Sequence, residues 1–239
     1  MEELEVTCIV LSSMPFKEKD RLISVFTVEL GVVTCIAKGV SAQSAKLKPI
    51  AQPFCFAKIE LTKSNEFYVI KGISVIDSFF DITNNYDNFV ISSSLLEICK
   101  IILKPNIIAE NLFIMLVKTL QNIVYNDIDC KLSATKFMLT TLKIIGYDIG
   151  FEYCDNCNMK FMGDIKFNIE TGTFRCVNCS GGVVVSKTVF MNLKIISATP
   201  IDRLSTLKVK SDILDSCLNL LYKNLERRLN CTIKSLKNY

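Results

Sequence analysis

The 239-residue sequence contains no histidine and no tryptophan. The first absence removes a whole set of chemistries. Ser-His and Cys-His nucleophilic sites need an imidazole base, and histidine-bound metal centres need an imidazole ligand. A site built on Asp, Glu or Lys stays open, but no paired-carboxylate motif stands out. Neither G-x-G-x-x-G nor G-x-x-x-x-G-K-[ST] occurs, so a nucleotide-phosphate cradle is unsupported. No uninterrupted apolar run reaches the ~18 residues of a membrane span. The opening Met1-Glu2-Glu3-Leu4-Glu5 is acidic, which is wrong for a signal or transit peptide. The expectation is a cytoplasmic protein with no membrane partner and no small-molecule substrate.

What the chain does have is hydrophobic residues, half of the total, and eleven cysteines. Such a chain can fill one large core or two to three small ones and leaves little room for disorder. An odd cysteine count without a secretory leader argues against a disulfide framework. Seven cysteines (8, 35, 55, 99, 130, 217, 231) are scattered among apolar neighbours and read as small core residues. The other four fall in two tight pairs.

The net charge of +4 is mild, and its distribution is more informative. Residues 1–80 carry nine basic and nine acidic groups, yet Lys38–Lys71 alone holds six lysines against Glu60 and Glu66. Residues 81–153 carry six basic and eight acidic groups, whereas 200–239 carry eight and four. Two basic stretches around a neutral-to-acidic middle suit a polyanion. Ordinary solvated lysines would give the same count.

Up to about residue 80 the pattern is that of strands. Val6-Cys8-Val10 alternates and then meets a turn at about Ser12–Lys17. Leu22–Val28, Val32–Val40, Pro53–Thr62 and Phe67–Val75 complete five runs. In the fourth, Cys55, Ala57, Ile59 and Leu61 share one side, and Phe54, Phe56, Lys58 and Glu60 the other. A small antiparallel barrel follows, of the nucleic-acid-binding OB type or the SH3-like type. From about 84 the period becomes helical. Ile91, Leu95, Ile98 and Ile102 mark one helix. Two more are expected over 109–125 and 133–145, the last capped by Gly146. The stripe Leu214, Leu218, Leu221, Leu225 and Leu229 marks a closing helix that docks on the helical core.

Cys154-x-x-Cys157 and Cys176-x-x-Cys179, eighteen residues apart, have the spacing of a zinc site. Zinc takes four ligands tetrahedrally and binds thiolates strongly, and cysteines three apart reach one metal when the backbone turns between them. Lys166–Ile169 and Thr173–Cys176 around Glu170-Thr171-Gly172 read as a hairpin carrying the second knuckle, making a ribbon at about 150–183. Four thiolates close the site, so one structural Zn2+ is expected, with no open catalytic position. A thioredoxin-like redox pair lacks its βαβ setting. An iron–sulfur cluster could use the same four ligands.

The order of parts, barrel, helices, four-cysteine ribbon and closing helix, resembles the RecO family of bacterial recombination mediators. Val10-Leu11, Phe16-Lys17-Glu18-Lys19-Asp20-Arg21, Val25-Phe26-Thr27 and Glu29-Leu30-Gly31 are similar to the family's opening. Ala37-Lys38-Gly39-Val40 is similar to its "aKG" segment, Leu47 through Gln52-Pro53-Phe54 to its "L-x-P-F" stretch, and Thr232-Ile233-Lys234-Ser235 to its closing "LKS" box. The resemblance implies an OB-fold domain over 1–80 and a helical domain with the zinc ribbon over 81–239. It implies a non-enzymatic protein that binds single- and double-stranded DNA and anneals complementary strands. It also implies that the protein assists RecA loading with RecR, in some species RecF, and meets the acidic C-terminal tail of single-strand-binding protein.

An OB surface needs cations for phosphates and aromatic faces for bases. Lys38, Lys46 and Lys48 flank the loop from Gly39 to Ala45, and Arg21, Lys58, Lys63 and Lys71 extend the patch. Phe54, Phe56, Phe67 and Tyr68 are aromatics within reach of a base. Lys17 and Lys19 bracket Glu18 where family members often have a glycine before the glutamate. Because the N-terminal stretch is neutral overall, Arg227, Arg228 and Lys234 join the candidate DNA contacts, with Arg203, Lys208 and Lys210 in the same basic segment. Two rivals stand beside this reading: a zinc-ribbon interaction module of a transcription or translation assembly, and an enzyme using Asp, Glu or Lys.

Overall fold

A computed structural model of the chain describes residues 3–40, 46–64, 67–104 and 107–236. Period-two alternation builds the first part of it. Strands β1 (Glu3–Phe16), β2 (Asp20–Thr27), β3 (Gly31–Ala37), β4 (Phe56–Ser64) and β5 (Phe67–Asp77) place one set of side chains inward. Cys55, Ala57, Ile59 and Leu61 are all in that buried set, with Val6, Cys8, Val10, Ile23, Val25 and Cys35. The strands close in the order β1-β2-β3-β5-β4. β3 and β5 pair in parallel at Cys35↔Tyr68, while every other pair is antiparallel. This crossed order is the OB topology, which resolves the choice between the two barrel types.

The expected turn at 12–17 is largely strand. β1 runs on to Phe16 because a bulge between Val10 and Ser12 resets its alternation. A bulge adds a residue and bends the strand. The first half of β1 thereby pairs with β4 (Glu3↔Thr62 to Ile9↔Phe56) and the second half with β2 (Cys8↔Thr27 to Phe16↔Asp20). The true turn is Lys17–Lys19. Gly31 has φ +68, and a Cβ there would stand 2.2 Å from the carbonyl oxygen of Ile107, so the position requires glycine.

The backbone forms two compact units, Met1–Ile114 and Met115–Tyr239. The first adds α1 (Tyr86–Ile102) to the barrel, started by Asn85, whose side chain accepts from the Asn88 N–H. Ile91, Leu95 and Ile98 are buried, as their spacing requires. Phe113, in the first turn of α2 (Glu110–Val124), packs edge-on against Phe26 at 5.2 Å.

The second unit holds the rest of α2, α3 (Cys130–Ile144), the ribbon strands β6 (Ile165–Asn168), β7 (Thr173–Cys176) and β8 (Val183–Val185), α4 (Lys187–Ala198) and α5 (Ser211–Leu229). α3 starts three residues before the expected Ser133 because Asp129 caps it, accepting from the N–H groups of Lys131 and Leu132. Gly146 follows with φ +86, as a C-terminal cap should. Asp129→Ala should lower stability by about 1 kcal/mol, read as a small fall in melting temperature; no change would mean another acceptor serves those N–H groups. Leu214, Leu218, Leu221 and Leu225 of α5 are buried. Among the described residues, no helix is long and apolar enough to cross a membrane. Of the scattered cysteines, Cys8, Cys35, Cys55, Cys99, Cys130 and Cys217 are buried. Burial pushes the Cys35 thiol up to about 12, and burial with the Asp77 charge nearby takes Cys55 to about 11. Such thiols are inert packing groups.

Candidate metal centre and nucleic-acid interface

The ribbon brings the four predicted ligands together. The sulfurs of Cys154, Cys157, Cys176 and Cys179 all lie within 4.8 Å of one another. Cys154–Cys179 and Cys157–Cys176 are each 3.7 Å apart, and Cys176–Cys179 is 3.5 Å. Four sulfurs each about 2.3 Å from one zinc, at tetrahedral corners, are spaced by about 3.8 Å. The fit to one mononuclear ion is close. A cluster would hold sulfurs on different irons farther apart than a single ion does, and a disulfide would hold them much closer.

Local sequence explains the shape. In the first knuckle the Cys154 N–H donates to Met159 O at 2.8 Å and the Asn158 N–H to Cys154 O at 2.9 Å, with Asn158 at φ +56. In the second, the Cys179 N–H donates to Cys176 O, and Gly181 and Gly182 follow with positive φ. The hairpin turn is set by Asn168, whose Oδ1 accepts from the N–H groups of Glu170 and Thr171. β8 makes the sheet three-stranded, in the order β7-β6-β8.

Several side chains support the sulfurs. Asn156 Nδ2 donates to Cys179 Sγ at 3.4 Å, the Cys176 N–H to Cys154 Sγ at 3.3 Å, and Lys166 Nζ to Cys179 O at 3.1 Å. Arg175 donates to Ser180 O and lies 3.7 Å from Asp155, so it ties the two knuckles. A zinc bound by four thiolates carries about two negative charges, which Lys166 and Arg175 offset. Sequence alone marks Asn156 as a turn residue; only the fold shows it as a donor to sulfur.

Burial alone would raise the Cys154 thiol, but N–H groups of Cys157, Cys176 and Asn156 outweigh it and bring it down to about 6. The Met159 N–H favours a Cys157 thiolate, yet the Cys154 sulfur and burial together push Cys157 up to about 12. Asn156 favours a Cys179 thiolate, and the Cys176 sulfur with burial still holds Cys179 above the usual thiol range. A metal-free chain at neutral pH thus keeps protons on Cys157 and Cys179. Both must leave when a metal binds, so affinity falls as pH falls. Zinc added to metal-free protein in weak buffer with an indicator dye should release protons; uptake without acidification would contradict this.

The ribbon rests on an aromatic cluster. Phe174 lies 4.9 Å from Phe167, 4.8 Å from Phe190 and 5.4 Å from Phe151. The end of α5 clasps the hairpin turn: Asn224 Nδ2 donates to Ile169 O at 2.9 Å, Arg227 pairs with Glu170 at 2.8 Å, and Arg228 donates to Thr171 O. Arg228 also stacks on Tyr147, 4.1 Å from the ring centroid. Gly172 has φ +62, and a Cβ there would meet Asn224 at 2.6 Å. Two arginines expected at DNA therefore have partners on the ribbon. Lys234 lies exposed in the short 3-10 turn Lys234–Leu236, and Arg203, Lys208 and Lys210 are exposed.

On the barrel, Lys38, Lys46, Lys48, Lys58, Lys63 and Lys71 are all exposed. Lys58 lies 3.6 Å from Glu5, Lys63 is paired in register with Tyr68, and Lys71 sits where β5 bulges against Glu60 and Leu61. Arg21 is turned onto β1, its guanidinium donating to the Ser13 hydroxyl at 2.7 Å and to Ser13 O at 3.2 Å. Of the loop from Gly39 to Ala45, residues 41–45 lie outside the described residues. Phe54 is not available for stacking: it is buried, with φ +72, and packs on Phe89 at 6.2 Å. Phe56 is half-buried near Phe113, and Phe67 and Tyr68 are half-buried.

Two family models match nearly the whole chain: "Recombination protein O N terminal" over residues 1–79 and "Recombination protein O C terminal" over 83–237. The chain is 27% identical over 231 residues to a DNA repair protein RecO of Clostridium novyi, covering 96% of this chain and 90% of that one. It is 26% identical over 238 residues to that of Caldicellulosiruptor saccharolyticus (99% and 97%) and 24% over 219 residues to that of Dehalococcoides mccartyi (89% and 85%). With an OB barrel ahead of a helical unit that carries a four-cysteine ribbon, and both family models matched in that order, the chain belongs to the RecO family.

Proposed function

We propose that this chain is a DNA repair and recombination mediator that binds single- and double-stranded DNA, anneals complementary strands and assists RecA loading with RecR. The observation that carries the reading is the closed barrel in OB strand order with an exposed set of lysines, in a chain matched over residues 1–79 and 83–237 by the RecO family models. Residues 1–80 act as the nucleic-acid-binding domain, and residues 81–239 form the helical domain with its ribbon at about 150–183. Contacts with DNA come from Lys38, Lys46, Lys48, Lys58, Lys63 and Lys71, joined by Arg21 and, from the second unit, Lys234. Arg227 and Arg228 serve chiefly to hold the ribbon turn. Phosphate neutralisation supplies most of the affinity, and half-exposed Phe67 and Tyr68 offer faces to bases.

The protein makes and breaks no covalent bond in this role and works in the cytoplasm. One zinc, held by Cys154, Cys157, Cys176 and Cys179, supplies folding energy to the ribbon and no reaction step. RecR, the tail of single-strand-binding protein and, in some settings, RecF are its protein partners. Fluorescence anisotropy with labelled single- and double-stranded oligonucleotides, followed by co-elution with RecR, tests the reading. Shifts with both DNAs and a joint peak with RecR are expected. RNA binding in preference to both DNAs, without RecR, would favour an assembly module instead.

A further inference from the structure

We propose that Asp20 is the positioning residue of a phosphate-binding group made by Lys17, Lys19 and Lys38 at one end of the barrel. The inference rests on the nucleic-acid reading above and names how one part of that surface is built. Strand register brings the parts together. Phe16 pairs with Asp20 across the β1–β2 turn, and Arg21 pairs with Ala37, so the start of β2 lies beside the exit of β3. Asp20 Oδ1 accepts from the Gly39 N–H at 2.8 Å. This one bond joins the Lys17–Lys19 turn to the segment that carries Lys38.

Both joined segments are held in unusual backbone. Lys17 has φ +58 and Gly39 φ +64. Among the described residues a Cβ at Gly39 would meet nothing within 4 Å, and its φ of +64 is what calls for glycine there. Lys17 Nζ lies 5.4 Å from the Phe16 ring, which restricts where its charge can go. Lys17, Lys19 and Lys38 are exposed, and none of the three makes an ion pair among the described residues. Arg21, the neighbouring cation, is already committed to Ser13. Asp20 follows Lys19 directly and is bonded to Gly39, the neighbour of Lys38; a carboxylate there repels a polyanion, so as a charge it works against binding. Its use here is geometric: it accepts the N–H that fixes two lysine-bearing turns in one arrangement.

This makes the sign of the effect diagnostic. Deleting a purely electrostatic aspartate from a DNA surface tightens binding; deleting a positioning aspartate weakens it. The test measures anisotropy of fluorescein-labelled oligothymidylate with the full chain across a salt series, with melting curves as a fold control. Asp20→Ala should weaken binding by about fivefold to tenfold at low salt and make the salt slope shallower by about 1, the loss of one to two phosphate contacts. Asp20→Asn keeps an oxygen acceptor for Gly39 and should bind as well as wild type or more tightly. Asp20→Glu, which keeps the charge and displaces the carboxylate, should bind more weakly than wild type. In a Lys17→Ala/Lys19→Ala/Lys38→Ala background, Asp20→Ala should no longer weaken binding, because the lysines it positions are gone and only its charge repulsion is removed. Tighter binding by Asp20→Ala, or a Glu variant equal to wild type beside a tighter Asn variant, overturns the inference while leaving the nucleic-acid reading intact. No binding by wild type would overturn both.

Discussion

Replacing Cys154 by Ser should remove the metal from the protein and release the ribbon from the helices beneath it. Cys154 is the most buried of the four ligands, and its sulfur accepts the Cys176 N–H as well as facing Cys179 at 3.7 Å. Structural zinc in isolated zinc-finger peptides contributes roughly 10–16 kcal/mol of apparent folding free energy. The loss here is smaller, because Phe167 and Phe174 also anchor the ribbon among Phe151 and Phe190. Elemental analysis should fall from about one zinc per chain to near none. Hydrogen exchange should show lost protection in β6 and β7 and, through the Asn224, Arg227 and Arg228 contacts, at the end of α5. The barrel, a separate compact unit, should keep its protection. Cys217→Ala is the control: it removes an equally buried thiol with no metal role and should retain the zinc. A brown, iron-containing wild-type preparation would overturn the zinc assignment, and unchanged ribbon protection in Cys154→Ser would show that packing alone folds it.

The second large effect concerns salt. If six or more phosphates are neutralised, affinity for DNA should fall roughly 10³-fold between roughly 50 and 200 mM salt. Lys38→Ala/Lys46→Ala/Lys48→Ala should weaken binding at low salt and make the slope for single strands shallower by about 2. The three lysines are exposed near the exit of β3 and the 3-10 turn Lys48–Ala51, so their removal costs the barrel no packing. An unchanged slope would take this segment out of the site and leave β4 and β5, with Lys58, Lys63 and Lys71, as the remaining barrel surface.

The cysteine quartet was legible in the sequence because metal chelation imposes spacing that local residues display directly. The barrel was legible where alternation is unbroken, as in Cys55-Ala57-Ile59-Leu61. It was not legible across β1, where the bulge at Val10/Ser12 shifts the period and makes strand look like turn. α4 was not legible either, although Ser186 caps it and Val189, Phe190, Leu193 and Ile196 bury one face; twelve residues directly after a ribbon offer a short signal. β8 was hidden for a similar reason, as three valines after two glycines. Arg227 and Arg228 show the limit of counting charges. Their partners Glu170 and Thr171 lie 57 residues away in sequence, a separation at which only the fold reveals that a cation is engaged. Asp20 shows the converse, a residue inside a recognisable motif whose use becomes visible only when Gly39 is placed beside it.

Strand annealing is the activity that a recombination mediator of this kind should show. Two complementary oligonucleotides, one labelled with a donor and one with an acceptor dye, are mixed with the protein without nucleotide, and in parallel after coating with single-strand-binding protein. Annealing faster than the spontaneous rate is expected in both mixtures, lost at high salt and requiring no ATP. Annealing no faster than the spontaneous rate at low salt, with zinc-loaded and folded protein, would contradict it.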